Sequence, residues 1–320
     1  MKNLDIKRIT LILLVTLMLP LSAMSQMIRG DVNQDGQVNV ADVTALIRHI
    51  LDGKPYSVYA DVTHDRNVNV ADVTFLINMI LGFSDPVRTF TVNGVSFNMI
   101  RVEAGTFTMG ADDEMEGGLW VQHNPAHQVT ITKSYYVSET EVTQELWLAV
   151  MGDVITYANH DPQKPINMID VSWCEQFCRQ LEDSTAMPFR LLTEAEWEFA
   201  ARGGNLSRGY IYAGSDNIDE VAWYQGNTGD EVLHRVATKA PNELGIYDMT
   251  GNADEWVKDY YSHYPNYPVV DPCCTEPHRR IVRGGASYCT ELTGRVVHRD
   301  WASDYEYGQM RTLRLAFTAP

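Results

Sequence analysis

Two stretches of acidic and amide residues have the types and spacing of a calcium loop. Calcium prefers oxygen ligands, and a twelve-residue loop supplies them from positions 1, 3, 5, 7, 9 and 12, with glycine at position 6. Residues 31–42 and 61–72 both place aspartate at positions 1, 5 and 12. We expect each loop to bind Ca²⁺. The expected ligands are Asp31, Asn33, Asp35, the Gln37 carbonyl, Asn39 and Asp42 in the first loop, and Asp61, Thr63, Asp65, the Asn67 carbonyl, Asn69 and Asp72 in the second.

The second loop departs from this pattern at two positions. Thr63 is a poorer ligand than Asn33, and Arg66 stands where Gly36 allows the sharp turn of the first loop. A left-handed backbone at an arginine costs about 1 kcal/mol or more. We therefore expect the second loop to bind calcium more weakly than the first. The alternative interpretation of both loops is a pair of solvated Asx turns without metal.

Cysteine is the other residue type here with distinctive metal and redox chemistry. Paired thiolates bind soft ions such as Cu(I), and thiols in an oxidising compartment form disulfides. Cys289 could pair with Cys273 or Cys274, and Cys174 with Cys178, although a bridge within one helical turn would be strained. A buried, unreactive thiol is the alternative for all five cysteines.

Helices are predicted directly after the two acidic loops. The apolar residues of 40–51 and 70–81 fall on one helical face, and Gly53 and Gly82 follow as stop signals. Two short helices bury little surface, so bound metal would supply folding energy. Residues 84–94 are predicted to be a linker, because Pro86 and its neighbours break the helical pattern.

A second domain is predicted over residues 95–320, where tryptophan, tyrosine and glycine become frequent. Segments 97–110 and 127–143 alternate as strands do. Helices are expected over 143–151 and 172–181. In a third helix, Thr193 is the expected N-cap and Glu196 completes a capping box.

The N-terminus and the charge indicate where the protein works. Lys2, Lys7 and Arg8 precede an apolar run, which predicts a signal peptide over residues 1–25. No later segment is expected to span a membrane. The net charge of −17 argues against nucleic-acid partners, which require a basic surface. We expect a secreted protein, extracellular or periplasmic, or held at the cell surface through a partner.

The duplicated loop and helix, residues 29–83, resemble the type I dockerin module. The resemblance implies a small all-α calcium-binding fold that docks to a cohesin module on another protein. In that family, loop positions 10 and 11 contact the cohesin; here they are Val40, Ala41, Val70 and Ala71. Packing within the first helical turn is the alternative role of these four residues.

The second domain resembles the sulfatase-modifying-factor family over residues 97–318. The motifs are RVEAGTFTMG, ETEVTQELW, PINMIDVSW, RLLTEAEWEFAARGG, PNELGIYDMTGNADEW, RGGASYC and LRLAF. This resemblance implies a loop-rich, C-type-lectin-like α+β fold. It also implies a calcium site formed by Asp248, the Gly251 and Ala253 carbonyls and Glu255; the alternative is a tight turn in which Glu255 pairs with an arginine.

The same resemblance bears on catalysis. The founding activity of the family generates formylglycine from a substrate cysteine, with O₂ and Cu(I) held by two cysteines. Cys289 fills the first of these positions and Gly294 the second. We therefore expect a non-catalytic domain that binds a glycan or a protein. The alternative is a copper-dependent oxidoreductase acting on cysteine in exported sulfatases, in which Cys273 or Cys274 supplies the missing thiolate.

Overall fold

A computed structural model of the chain describes residues 30–62, 68–80, 86–111, 125–153, 160–230, 233–304 and 308–319, apart from the side chains of Ala71 and Asn78. The predicted signal peptide lies outside the described residues. So do Thr63, Asp65, Arg66 and Asn67 of the second loop. The chain divides into two compact units, residues 1–85 and 86–320, which are described separately.

The described residues of the smaller unit form two helices, α1 (Val40–Leu51) and α2 (Val70–Ile80), as the apolar periodicity predicts. Leu46 of α1 and Leu76 of α2 are fully buried and anchor a small apolar core. Helix α1 begins with a capping box, in which Asn39 accepts the Ala41 N–H at 2.8 Å and Asp42 accepts the Asn39 N–H at 2.9 Å. The last acidic residue of the first loop therefore also fixes the start of the helix.

The described strands of the larger unit form three sheets. The first has five antiparallel strands in the order β1 (Val87–Val92), β2 (Val95–Val102), β5 (Tyr135–Ser138), β12 (Leu315–Thr318) and β6 (Arg190–Leu191). The second has the order β10 (Asp300–Ala302), β9 (Arg280–Arg283), β7 (Asp254–Tyr260) and β11 (Arg311–Leu313), with β11 parallel to β7. The third has the order β3 (Gly105–Met109), β4 (His127–Ile131) and β8 (Val269–Val270).

The helices of the larger unit are short and begin at clear N-caps. They are α3 (Gln144–Met151), α4 (Val171–Thr185), α5 (Glu194–Ala201) and α6 (Ile218–Val221), with a 3₁₀ turn at Gly204–Leu206. The predicted capping box of α5 is confirmed, because Thr193 accepts the Glu196 N–H and Glu196 accepts the Thr193 N–H. The α+β fold predicted from the sequence is thus present.

The linker predicted over residues 84–94 is wrong for residues 87–92, which form strand β1. Strand β1 pairs with β2 from Val87–Ile100 to Val92–Val95 through a hairpin turn at Asn93 and Gly94. The proline that ends the preceding helical pattern therefore comes directly before a strand. Alternation of Phe90 and Val92 with polar residues was the signal for this strand.

Buried ion pairs connect distant parts of the larger unit. Arg283 contacts Glu198 at 2.6 Å, and Arg299 contacts Glu194 at 2.6 Å. Both glutamates lie on α5, so this helix is tied to the segments around β9 and β10. Within the described part of the chain, no helix combines the length and the apolar character that crossing a membrane requires.

Candidate functional sites

The first acidic loop wraps around two buried carboxylates. Asp31 is 7% exposed and Asp42 is fully buried. Asp31 accepts the N–H groups of Asp35 at 3.0 Å and Gly36 at 2.9 Å, while Asp42 accepts those of Asn33 at 3.0 Å and Asn39 at 2.9 Å. Backbone N–H groups thus hold both carboxylates in place while the loop turns around them.

The donor set of this loop suits a hard cation. All its candidate ligand atoms are oxygens, and the described residues give neither Asp31 nor Asp42 a cationic partner. Burying carboxylates without a positive charge is costly, and a divalent cation would remove that cost. The amide oxygens of Asn33 and Asn39 each accept a local N–H, so the carboxylates are the stronger candidates. Across the described residues, no group of three or more His, Cys, Asp or Glu residues is arranged to hold a metal. Calcium at this loop therefore stays a prediction.

The second loop repeats the two buried carboxylates. Asp61 is 2% exposed and Asp72 is fully buried. Asp72 accepts the Asn69 N–H at 2.9 Å, as Asp42 does from Asn39, and Asp61 accepts the Tyr56 hydroxyl at 3.0 Å. The expected weakness at Thr63 and Arg66 lies outside the described residues.

The residues expected to contact a partner lie at the start of the two helices. Val40 is 68% exposed and Val70 is 70% exposed. Farther along the same helices, Ile47 and Ile77 are also partly exposed. The alternative role, packing within the first turn, does not account for such exposed valines. Ala41 is exposed as well, and the side chain of Ala71 is not described.

Cys289 lies in a loop after β9 and lines a small cavity of about 90 Å³. The cavity also contains Asp254, Tyr288 and His298, and the Tyr288 hydroxyl donates to Asp254 at 3.0 Å. Burial, with a smaller effect of the Asp254 charge, raises the pKa of the Cys289 thiol to about 12. Burial lowers the pKa of His298 to about 4. Near neutral pH the cavity therefore holds a thiol and a neutral imidazole.

Gly294 faces Cys289 across a short distance. A Cβ atom built on Gly294 would lie 3.3 Å from the Cys289 sulfur. A cysteine side chain at position 294 would therefore begin beside the Cys289 sulfur, and the glycine supplies no thiol there. The described residues that line this cavity include neither Cys273 nor Cys274, and all five cysteines are free thiols. Cys273 instead lies beside Asp259.

The turn expected to bind calcium in the larger unit is built around Arg314. Glu255 is fully buried, accepts the Trp197 indole N–H at 2.6 Å and pairs with Arg314 at 2.7 Å. This is the pairing with an arginine that the sequence left as the alternative. Asp248 is 3% exposed and accepts the Ala237 N–H at 2.7 Å. Calcium binding at Asp248, Gly251, Ala253 and Glu255 stays a prediction.

A third buried carboxylate at this turn is not evident from the sequence. Glu141 is 1% exposed and accepts the Asn252 amide at 2.7 Å and the Ala253 N–H at 3.0 Å. Burial first, and then the charges of Asp248 and Glu255, raise the pKa of Glu141 well above its usual range. Since 112 residues separate Glu141 from Ala253, no local pattern could have joined them.

The chain matches two family models. Residues 89–319 match the sulfatase-modifying factor enzyme 1-like domain, and residues 29–83 match the dockerin type I domain. The two matches follow one another in the order that the motifs predict.

Similar proteins differ in their activities. Chaperone protein LppX of Paenibacillus barcinonensis is 32% identical over 239 residues, which is 60% of this chain and 79% of that protein. Formylglycine-generating enzyme of Streptomyces coelicolor is 33% identical over 147 residues, 40% of this chain and 43% of the enzyme. Inactive C-alpha-formylglycine-generating enzyme 2 of Bos taurus is 31% identical over 119 residues, 34% of this chain and 36% of that protein.

Solved structures share the fold of the larger unit. Treponema denticola variable protein 1 superposes with a TM-score of 0.67 at 26% identity, covering 74% of this chain and 100% of that chain. PvdO from Pseudomonas aeruginosa superposes with a TM-score of 0.61 at 25% identity and with the same coverage.

Proposed function

Because the chain belongs to the sulfatase-modifying factor enzyme 1-like family and carries a type I dockerin domain, we propose that it is an exported, calcium-binding docking protein whose larger domain is not a copper oxidase. The dockerin would attach the larger domain to a cohesin-bearing partner. The larger domain would bind a glycan or a protein. Both enzymes and an inactive protein are similar to this chain, so similarity alone does not decide activity.

The observation that carries the non-catalytic proposal is the missing side chain at Gly294. Tight Cu(I) binding requires two thiolates, and the described surroundings of Cys289 offer one. The raised pKa of the Cys289 thiol also leaves little thiolate near neutral pH. The residues present therefore do not fit a Cu(I) ion.

Restoring the missing thiol tests this proposal. We expect the reduced wild-type chain to show no thiolate-to-copper absorbance on titration with Cu(I), and Gly294→Cys to gain it. Gly294→Ser is the matched control, because it adds a side chain of similar size without a soft ligand. The added Cβ would lie 3.2 Å from Ile218 Cδ1, so circular dichroism must first show that both variants fold.

The alternative function is copper-dependent oxidation of cysteine in exported sulfatases, and the presence of Cys289 is what favours it. Sub-micromolar Cu(I) binding by the wild-type chain that disappears in Cys289→Ser would replace our proposal with this one. A wild-type chain that converts a sulfatase-derived cysteine peptide to formylglycine would do the same.

The docking proposal is supported by the equivalent exposure of Val40 and Val70. Both valines occupy loop position 10 in their copies, so either copy could present the same surface to a cohesin. Ile47 and Ile77 lie seven positions farther along the same helices, so each copy exposes two apolar residues on one helical face, and contiguous exposed apolar patches mark interaction sites. Calcium would act here by neutralising the buried aspartates that fix the start of each helix.

Single and double substitutions distinguish two docking faces from one. If both faces bind, Val40→Asp and Val70→Asp each leave binding to a cohesin panel within about twofold, and the double variant loses it. If one face binds, a single variant already abolishes binding. Retained binding by the double variant, or binding unaffected by a calcium chelator, would refute the proposal. Val58→Asp, at an exposed valine between the two helices, makes the same substitution away from the helix starts and controls for added charge.

Export is tested by the N-terminus of the processed protein. The proposed signal peptide covers residues 1–25, so mass spectrometry of protein recovered outside the cytoplasm should find Gln26 first. Protein that keeps Met1 and stays in the cytoplasm would contradict this proposal.

A further inference from the structure

A cavity lined by four cationic side chains lies on the larger unit, apart from the residues of the Cys289 cavity. Its volume is about 220 Å³. The lining contains one acidic residue beside these four cationic ones, although the net charge of the whole chain is −17. The lining residues are Glu175, Cys178, Arg179, Phe189, Arg190, Leu191, Lys258 and Arg280.

The apolar wall of this cavity belongs to the core. Cys178 is 5% exposed, Phe189 5% and Leu191 6%, and all three pack within one apolar cluster. Because core packing fixes these side chains, the cavity has a stable apolar surface before any ligand arrives. A preformed apolar wall with a few polar groups at its edge is typical of small-molecule sites.

Two of the cationic groups are already neutralised. Arg190 contacts both carboxylate oxygens of Glu196, at 2.7 and 2.8 Å. Arg280 is 3.4 Å from Asp304 and donates to the Tyr260 hydroxyl at 2.9 Å. These two arginines shape the edge of the cavity but keep little charge for a ligand.

Lys258 supplies the charge that remains. It lies on β7 with its side chain exposed, and nothing in the described part of the chain hydrogen-bonds to or pairs with its ammonium group. Arg179 is 3.9 Å from Glu175 in an exposed pair, which holds it weakly. The cavity therefore joins an apolar wall to one uncompensated positive charge.

We propose that this cavity binds a small carboxylate that carries an aromatic ring. The ring would cover Phe189 and Leu191, and the carboxylate would pair with Lys258. The volume equals about seven water molecules at ~30 Å³ each, which suits a ring with a short acidic side chain. This site is independent of docking and of copper chemistry.

The test uses the full chain without its predicted signal peptide and a fluorinated probe, 3-(4-fluorophenyl)propionate. Binding is followed by ¹⁹F line broadening, and the uncharged 3-(4-fluorophenyl)propanol measures the contribution of the ring alone. We expect the acid to bind about two- to fivefold more tightly than the alcohol, because an exposed ion pair contributes up to that much. Added salt should reduce the difference.

Substitution of Lys258 tests whether the acid binds in this cavity. Lys258→Gln should weaken binding of the acid about two- to fivefold and leave binding of the alcohol unchanged. Lys133→Gln removes the same charge from another exposed site and should change neither. Equal binding of acid and alcohol, equal effects of the two lysine substitutions, or no binding of the acid at about 10 mM would each overturn the proposal. Lys258 is exposed, so circular dichroism should show its variant folded.

Discussion

Asp259 makes the stability of the larger unit depend on pH, in a direction set by the pKa of its carboxyl group in the folded protein. Asp259 is 5% exposed and accepts the N–H groups of Glu194 at 2.8 Å and Cys274 at 2.9 Å. Burial first, and then the charge of Glu194, raise its pKa to about 7 in the folded protein, from 3.8. The folded state therefore holds this proton over a pH range where the unfolded chain has released it.

This difference between the folded and unfolded pKa values means that the stability of the larger unit falls as the pH rises. A raised carboxyl pKa contributes stability below the unfolded value and loses it as the pH rises through the folded value. The full loss is about 4 kcal/mol, from about three pKa units at ~1.4 kcal/mol each. The isoelectric point near 4.8 makes acidic solutions prone to precipitation. Measurements therefore cover about pH 5.5 to about pH 8.5, and over this range the expected loss of stability is about 2 kcal/mol.

The variant Asp259→Asn isolates this contribution. An amide does not titrate, so the free energy of unfolding of the variant relative to wild type should rise by about 2 kcal/mol across that range. In the variant, the NH₂ group of the amide replaces one carboxylate oxygen and faces a backbone N–H donor. This mismatch changes the free energy of unfolding by an amount that does not depend on pH. Buried titrating groups that do not interact with Asp259 are common to both proteins and cancel in the difference.

Urea unfolding followed by tryptophan fluorescence measures the effect. All seven tryptophans lie in the larger unit, so the signal reports that unit. Asp183→Asn, on an exposed position of α4, is the matched control and should run parallel to wild type. If the Asp259→Asn curve is also parallel to wild type, the pKa argument is wrong.

Three further outcomes are expected. Asp42→Asn should weaken calcium binding by the first loop about tenfold or more, measured by calorimetry, because the loop loses one carboxylate; unchanged affinity would remove Asp42 from the ligands. Gly251→Ala would place a Cβ against the Trp223 carbonyl oxygen, so it should lower the free energy of unfolding in urea by about 3 kcal/mol or more. Gly245→Ala, which has a similar φ but open space around it, should cost about 1 kcal/mol, and equal costs would contradict the clash. Arg314→Met should destabilise the protein by about 3–5 kcal/mol, because it leaves the Glu255 carboxylate buried without its partner. Adding Glu255→Gln removes that charge and should restore at least ~1 kcal/mol. Strictly additive effects of the two substitutions would show that the side chains are not coupled.

Features coded by neighbouring residues could be predicted from the sequence. The loop spacing, the apolar faces of α1 and α2, and the capping box at Thr193 involve residues a few positions apart, and the family resemblances were built from such segments. The missing second cysteine at Gly294 was visible for the same reason. Strand β1 was missed because proline beside a short polar segment indicated a linker, whereas pairing with β2 outweighs that local signal.

The sequence alone predicted calcium-loop chemistry from residue type and spacing, and the family resemblance identified Gly294 as the position where a second cysteine is expected. Only the tertiary structure decided which charges meet. Arg314 reaches Glu255 across 59 positions, and Glu141 reaches Ala253 across 112. Among the described residues, the strands carry Arg190 and Arg280 to acidic partners and leave Lys258 without one. Such pairings follow from strand order and burial, which no local pattern encodes.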